Sequence, residues 1–501
     1  MNYLMLSILA LPLVASPIVY LIGRISVRKN ALWGMGLAKI LSLLVLLAEM
    51  VLVGFGLKTA MAEGSLSMYV GETLMVFDTI GLLVSAVALV LGACSVLFSF
   101  RYIRGEKGEE KFYALLLITI GCIIGLAYSY DLFTMWIWFE GMAVSTYLLV
   151  AFYNDQAESL EAGFKYLVQS AIGSALVLMG IAIIFSVTGS TSFQYIWYLD
   201  TSAGAFTVIG GILLIVGFGV KASLVPLHTW LPDAHSRAPS GISAMLSGIV
   251  IEAGLIAMLR SLSLLGKVGG AWGPILLAFG CLNILVGNLM ALRQTEVKRL
   301  LAYSSIAHVG YMLVGFGVSF TFAQTMGAAG GFFHLITHAL MKGLAFLAVG
   351  ALMYALFIAN GRHGVLMLED LNGASRKYPL LAFCLSAALL SLGGLPPFAG
   401  FMSKWQILIA AAAPQTAWAW VLVAFIGLNS VLSLAYYAPM INRMYRREPS
   451  EAVQRGKSIP WVMAIPLVLL TLAIVVIGVW PTSVQFLTNL PANALMYFFV
   501  N

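Results

Sequence analysis

Apolar runs of about twenty residues, separated by short polar stretches, repeat along the whole chain. A helix rises about 1.5 Å per residue, so about 20 apolar residues cross the hydrocarbon core of a bilayer. The pattern predicts about fourteen spanning helices, near 3–23, 31–57, 74–100, 112–130, 132–153, 163–187, 205–225, 240–262, 271–292, 302–322, 325–357, 379–413, 415–442 and 461–490. The stretches at 325–357 and 379–413 are longer than one straight span needs and predict overhang or a break. No positively charged region precedes the first run, so it reads as an uncleaved helix and not as a signal peptide.

Composition supports the bilayer as solvent. Of 501 residues, 61% are hydrophobic and 9% charged, against about 25% charged in soluble domains. Basic residues outnumber acidic ones, 27 to 20. In a soluble protein such an excess would point to nucleic acid; here the Lys and Arg sit in short loops between apolar runs and read as topology signals. With the N-terminus outside, twenty fall in cytoplasmic loops and three (Lys58, Arg260, Lys267) on the opposite side. The other four (Lys39, Lys221, Lys342, Lys404) lie within predicted spans. That asymmetry predicts a multi-pass protein with both termini on the non-cytoplasmic side. Cys94, Cys122, Cys281 and Cys384 are scattered through apolar runs, a pattern that supports no iron–sulfur, zinc or disulfide framework. With no dinucleotide fingerprint or phosphate loop either, the chain is expected to carry no cofactor and no metal. Redox chemistry, if any drives it, belongs to partners.

Two predicted spans are interrupted by proline. One contains Lys221-Ala-Ser-Leu-Val-Pro226-Leu-His228, the other Gly394-Leu-Pro396-Pro397-Phe and, further on, Lys404. They are the seventh and twelfth spans, five apart. Paired broken helices in corresponding positions point to repeated transporter halves with a midplane ion site. The expected organisation is 1–111 (spans 1–3), 112–262 (a first five-helix repeat, spans 4–8), 263–442 (a second, spans 9–13) and 443–501 (span 14).

Within this apolar frame lie ionisable residues that each cost at least about 2.5–3.5 kcal/mol at bilayer depth if unpaired and unhydrated. They are Glu140, Lys221, Glu252, His308, His334, His338, Lys342 and Lys404, with Glu49 more isolated in span 2. His334, His338 and Lys342, at i, i+4 and i+8, share one helix face and are read as a hydrated relay over static interhelical pairing. Glu140 and Lys221 are expected to pair, either as a fixed bridge or as a gate. Glu252 is either an alternative partner that draws Lys221 from Glu140 or a protonated spectator. Glu49 is left open between a structural and a functional role. His228, Asp233 and His235 lie in a polar segment between spans 7 and 8. Their spacing fits no helical metal site, and the segment is read as a proton vestibule or a structured loop.

The segments Lys221-Ala-Ser-Leu-Val-Pro-Leu-His-Thr-Trp-Leu-Pro-Asp-Ala-His235, Lys298-Arg-Leu-Leu-Ala-Tyr-Ser-Ser-Ile-Ala-His308, His338-Ala-Leu-Met-Lys342-Gly and Gly393-Gly-Leu-Pro-Pro-Phe-Ala-Gly-Phe-Met-Ser-Lys404 closely resemble one family. It comprises the antiporter-like membrane subunits of respiratory complex I, membrane-bound hydrogenases and Mrp-type sodium/proton antiporters. The resemblance implies an all-α polytopic fold of fourteen helices with two inverted five-helix repeats. It also implies breaks in spans 7 and 12, and an ion path through Glu140, Lys221 and Lys404. Two departures are visible: Glu252 stands where the family often has lysine or histidine, which leaves sodium open beside protons, and the chain stops soon after span 14, without a long lateral helix.

The function expected is ion translocation by a non-redox subunit of an energy-converting oxidoreductase complex in a prokaryotic inner membrane. Other membrane subunits, and peripheral redox subunits in a complex I-like or hydrogenase-like assembly, would be its partners. The alternatives are the large subunit of an Mrp-type antiporter and, third, a standalone carrier for an organic solute.

Overall fold

A computed structural model describes residues 2–29, 32–63, 65–198, 204–266 and 271–500; Lys267 lies outside them. Among the described residues the regular structure is helical apart from one hairpin. Helices α1 (Asn2–Arg28) and α2 (Leu32–Glu63) pair with each other, and strands β1 (Leu66–Val70) and β2 (Thr73–Phe77) follow. Next come α3 (Thr79–Tyr102), α4 (Glu109–Tyr128), α5 (Leu132–Val150), α6 (Ala157–Thr188), the short α7 (Phe193–Tyr198), α8 (Gly204–Lys221) and α9 (Trp230–Arg237). Helix α10 (Ser240–Met245) passes through a π-helical turn at Leu246–Val250 into α11 (Ile251–Leu264). The second half holds α12 (Trp272–Ala291), α13 (Val297–Phe322), α14 (Thr325–Leu356), α15 (Ala374–Lys377), α16 (Pro379–Gly393), α17 (Ala399–Ala412) and α18 (Ala417–Arg446). The chain closes with α19 (Glu451–Arg455), α20 (Trp461–Val479) and α21 (Thr482–Val500).

Twelve helices among the described residues are long and apolar enough to cross a membrane, and α8 and α16 are shorter apolar pieces. The outer faces are apolar: Phe55, Val421, Leu428 and Val431 are all well exposed. The interior holds the ionisable groups. This inversion of the soluble pattern is what lipid as solvent imposes, because a buried polar group must find its partner inside the protein. Facing glycines bring neighbouring backbones close, as where Gly173 of α6 meets Gly217 of α8, the small-residue packing common between membrane helices.

Three stretches differ from the sequence-based expectation. The third span starts at Thr79, not near 74: β1 and β2 pair antiparallel, Val70 opposite Thr73, around Gly71 at φ +64°. Asp78 then caps α3, accepting from the Gly81 N–H at 2.8 Å. Helix α14 is unbroken over 32 residues, about 48 Å long, so its extra length is overhang. The run at 461–490 is two helices. After Trp480 and Pro481 the chain turns, and α21 lies along one face of the bundle: Phe499 stacks on Phe320 at the end of α13 (4.2 Å), while Asn489 and Asn493 border a cleft with Thr325 and Met326 at the start of α14. The start of α1 lies at this same face. Gly56, near the end of α2, abuts both Ile8 and Leu82 at the start of α3.

Both predicted breaks are present. The first separates α8 from α9, the second α16 from α17, and each contains one cis X–Pro bond, Val225–Pro226 and Pro396–Pro397. Broken helices free backbone groups that other protein groups must satisfy. At the first break, Trp230 Nε1 donates to the Val220 carbonyl (2.8 Å). Asn283, reaching across from α12, accepts from Val225 N–H (2.8 Å) and donates to the carbonyls of Ser223 (3.2 Å) and Ile306 (3.4 Å). At the second, the freed Leu392 carbonyl accepts from Lys404 Nζ itself (2.9 Å). The two lysines thus stand on opposite sides of their breaks, Lys221 ending the first half-helix and Lys404 within the second.

Candidate functional site: a buried row of titratable side chains

Lys221 is buried at the end of α8. Its ammonium donates to Thr146 Oγ1 (3.3 Å) and lies over the Tyr166 ring (4.5 Å from the centroid). Thr146 and Tyr166 are themselves hydrogen-bonded (2.9 Å). Glu140, one helix away on α5, is half-buried, and its Oε1 has no hydrogen-bond partner. No N···O contact of 4.0 Å or less joins Glu140 and Lys221; Lys221 has taken a hydroxyl and an aromatic face instead. The direct Glu140–Lys221 pair expected from sequence is not formed.

Glu252 has a partner that neither of its two expected roles named: His338, whose Nδ1 lies 2.7 Å from Oε1, with both side chains fully buried. The π-helical turn sets this contact. The turn itself packs on α14, with Gly248 against the Ala339 backbone, and Glu252, just after it, meets the histidine one residue before Ala339. Such turns are often found at functional sites. Glu252 Oε2 and His338 Nε2 remain without partners. Lys221 is nonetheless adjacent to α11: a Cβ on Gly254 would come within 2.9 Å of the Lys221 Cβ.

From His338 the row continues through rings. His308 on α13 lies 5.2 Å from His338 and 5.1 Å from His334, centroid to centroid, and His308 Nδ1 and His334 Nε2 are hydrogen-bonded at 2.9 Å. His334 Nδ1 bonds Ser403 Oγ (2.9 Å). The next residue, Lys404, lies over the Tyr311 ring (4.8 Å) and donates to Ser430 Oγ (3.1 Å) besides Leu392. Lys342, one turn beyond His338, branches off: it donates to the Leu301 carbonyl (2.8 Å) and Ser304 Oγ (2.6 Å), and Ser304 is bonded to Tyr437. The three side chains of α14 share a face, as their spacing predicts, but each has a different partner.

The polar segment after the first break is dispersed. Asp233 is held by Lys165 (3.0 Å) and by Arg299. His235 is fully buried, stacked on Phe346 (4.8 Å), with neither ring nitrogen hydrogen-bonded. His228 is half-buried near Tyr303. These three do not converge on one opening. A polar cleft of about 520 Å³ lies beside them, bordered by Arg237, Lys298, Tyr153, Asp155 and His363. Lys298 is buried and donates to the Ala238 carbonyl (2.6 Å), although by its place in the sequence it reads as an ordinary loop cation. Only its position at the head of the family-like segment 298–308 could have marked it. Glu49 is wholly buried with both oxygens unpartnered. Arg260, counted from sequence as a loop charge, is buried and bonded to Asp78 at 2.5 Å. No cluster of three His, Cys, Asp or Glu able to hold a metal occurs among the described residues.

Fold and row together define a polytopic membrane protein of the antiporter type. Residues 129–433 match the family described as NADH:quinone oxidoreductase/Mrp antiporter, transmembrane, and the chain belongs to that family. It is 33% identical over 424 residues to subunit N of the F(420)H(2) dehydrogenase of Methanosarcina mazei, with 82% of each chain covered. It is 31% identical over 464 residues to NADH-quinone oxidoreductase subunit N of Desulfitobacterium hafniense, with 88% of each covered. Among solved structures, a chain of the membrane-bound sulfane sulfur reductase, an archaeal respiratory membrane complex, superposes with TM-score 0.88 at 30% identity, with 99% of both chains covered. A chain of Thermus thermophilus respiratory complex I gives 0.77 at 27%, covering 96% of this chain and 99% of that one. A chain of the Mrp complex from Dietzia sp. shares the fold at 0.82 and 20%, over 99% of both.

Proposed function

We propose that this chain is the ion-translocating, antiporter-like subunit of a multisubunit energy-converting membrane complex, and that the ion it moves is the proton. The observation that carries the reading is the buried row itself. Glu252, His338, His308, His334 and Lys404 follow one another through hydrogen bonds and ring contacts, with Lys221 and Glu140 at the other end. Intramembrane titratable residues that face the bundle interior mark ion pathways and proton relays. Hard cations favour oxygen ligands, whereas amines and imidazoles dominate here, which favours protons over sodium. The three relatives named above at 30% identity or more are subunits of redox-linked complexes, and this favours a place in such a complex over the Mrp-type reading. In this reading other membrane subunits and peripheral redox subunits are the partners. The site is a prokaryotic inner membrane, and both chain ends face away from the cytoplasm.

The test is purification of the intact complex, identification of the co-purifying subunits, and reconstitution into vesicles with a pH-sensitive dye. Proton uptake driven by the complex's electron donor, independent of sodium and lost in both Lys221→Met and Lys404→Met while assembly persists, is the expected result. Normal pumping by both variants would refute the relay. Sodium–proton exchange without any redox subunit would favour the Mrp-type alternative.

A further inference from the structure

At the membrane face opposite α21, a cleft of about 830 Å³ opens between the end of α1, the start of α2, the end of α3 and the start of α20. Its depth is apolar, with Val27, Met35, Ile40, Phe100 and Val462 as walls, and Val27 and Ile40 are about half exposed. Its mouth is basic. Lys39, on one side, is neutralised by Glu109 and donates to the Phe100 carbonyl (3.2 Å); Glu109 also accepts from Gly105 N–H (3.1 Å). Arg101 and Arg104 are exposed, and neither guanidinium has an ion-pair or hydrogen-bond partner among the described residues.

We propose that this cleft binds an anionic phospholipid. The apolar walls take acyl chain, and Arg101 and Arg104 hold the headgroup phosphate. An open apolar cleft at bilayer depth is filled by lipid tails in any case; the two unpaired guanidiniums make it selective. Arginine's planar fork matches a phosphate in two hydrogen bonds, and basic pockets between membrane helices are a recurrent solution for anionic headgroups. The joined ion pair of Lys39 and Glu109 leaves the net positive charge at the rim, where a headgroup lies, rather than deeper among the tails. A bound lipid would tie the α1–α2 pair, whose outer faces are widely exposed, to α3 and α20 of the bundle.

The test uses the purified complex, titrated in mild detergent with dioleoylphosphatidylglycerol or dioleoylphosphatidylcholine and read by native mass spectrometry. The wild type is expected to retain phosphatidylglycerol in preference to phosphatidylcholine. Arg101→Gln with Arg104→Gln should weaken phosphatidylglycerol binding roughly thirty-fold and leave phosphatidylcholine unchanged. Both side chains are exposed, so an unaltered melting temperature is the folding control. Gly36→Trp fills the cleft from a position where an added Cβ meets nothing within 4 Å, and should lose the lipid with both arginines intact. Equal retention of phosphatidylglycerol by the wild type and the double arginine variant overturns the proposal. So does displacement of the lipid by inorganic phosphate, which would mark a soluble-anion site. Disulfide capture of a neighbouring subunit by Gly36→Cys, instead of lipid retention, would assign the cleft to a protein partner and also overturn it.

Discussion

Replacing Glu252 by glutamine isolates one charge at the centre of the row. Glutamine keeps the shape of the side chain and an oxygen that can accept from His338 Nδ1, now 2.7 Å away. What it removes is the charge assistance in a contact where both partners are fully buried. A hydrogen bond to a charged group contributes about 1.5–3 kcal/mol, against about 1 for a neutral one. Since Glu252 Oε2 and His338 Nε2 have no other partner, no second contact compensates. If the protonated form of His338 is an intermediate in transfer, the difference of about 0.5–2 kcal/mol slows passage about 2- to 30-fold, at about 1.4 kcal/mol per tenfold. Proton uptake by reconstituted vesicles, followed across pH, is the assay, with subunit composition and melting temperature as controls. Glu252→Gln should assemble like the wild type and pump about 2- to 30-fold slower. Glu252→Ala should also melt lower, because it leaves the histidine nitrogen unsatisfied at a cost of about 1–3 kcal/mol. An unchanged rate and pH profile in Glu252→Gln would refute the reasoning: the carboxyl would then be a neutral spectator, which glutamine imitates.

Three further outcomes follow from the geometry. Gly254→Ala places a methyl 2.9 Å from the Lys221 Cβ and 3.1 Å from the Ala222 nitrogen; the resulting overpacking should cost about 1–3 kcal/mol, read as a lower melting temperature, and slow transport by displacing the lysine. Asn283→Ala removes the clamp on the first break and leaves the buried Val225 N–H unpaired, a loss of about 1–3 kcal/mol that thermal unfolding would detect; unchanged stability would mean that the break holds itself. Asp233→Asn weakens partly exposed ion pairs to Lys165 and Arg299, worth about 0.2–1 kcal/mol each, so transport should persist nearly intact. A block as complete as that of Lys404→Met would restore Asp233 to the ion path.

What the sequence determined by itself is whatever a linear pattern can encode. Apolar length gave the spans, because the bilayer sets one thickness for all of them. Proline gave the two breaks at Pro226 and Pro396–Pro397, because it removes a donor and clashes with the preceding turn. Expensive polar residues in apolar runs singled out Glu140, Lys221, Glu252, His308, His334, His338, Lys342 and Lys404 as candidates. Tertiary structure decided who meets whom. Glu252 faces His338 because the π-helical turn just before it packs on α14 through Gly248, a local irregularity with no composition of its own. Lys221 rests on Thr146 and Tyr166 and not on Glu140, since a helix periodicity fixes a face but not the rotation of one helix against another. Lys298 and Arg260, read along the chain as loop charges, are buried by packing. The apolar run at 461–490 resembles one span in one dimension; only contacts with the ends of α13 and the start of α14 lay α21 across the face of the bundle. Hydrophobicity is a property of each residue and survives in the string, whereas pairing depends on distances between segments up to hundreds of residues apart, which exist only once the chain has folded.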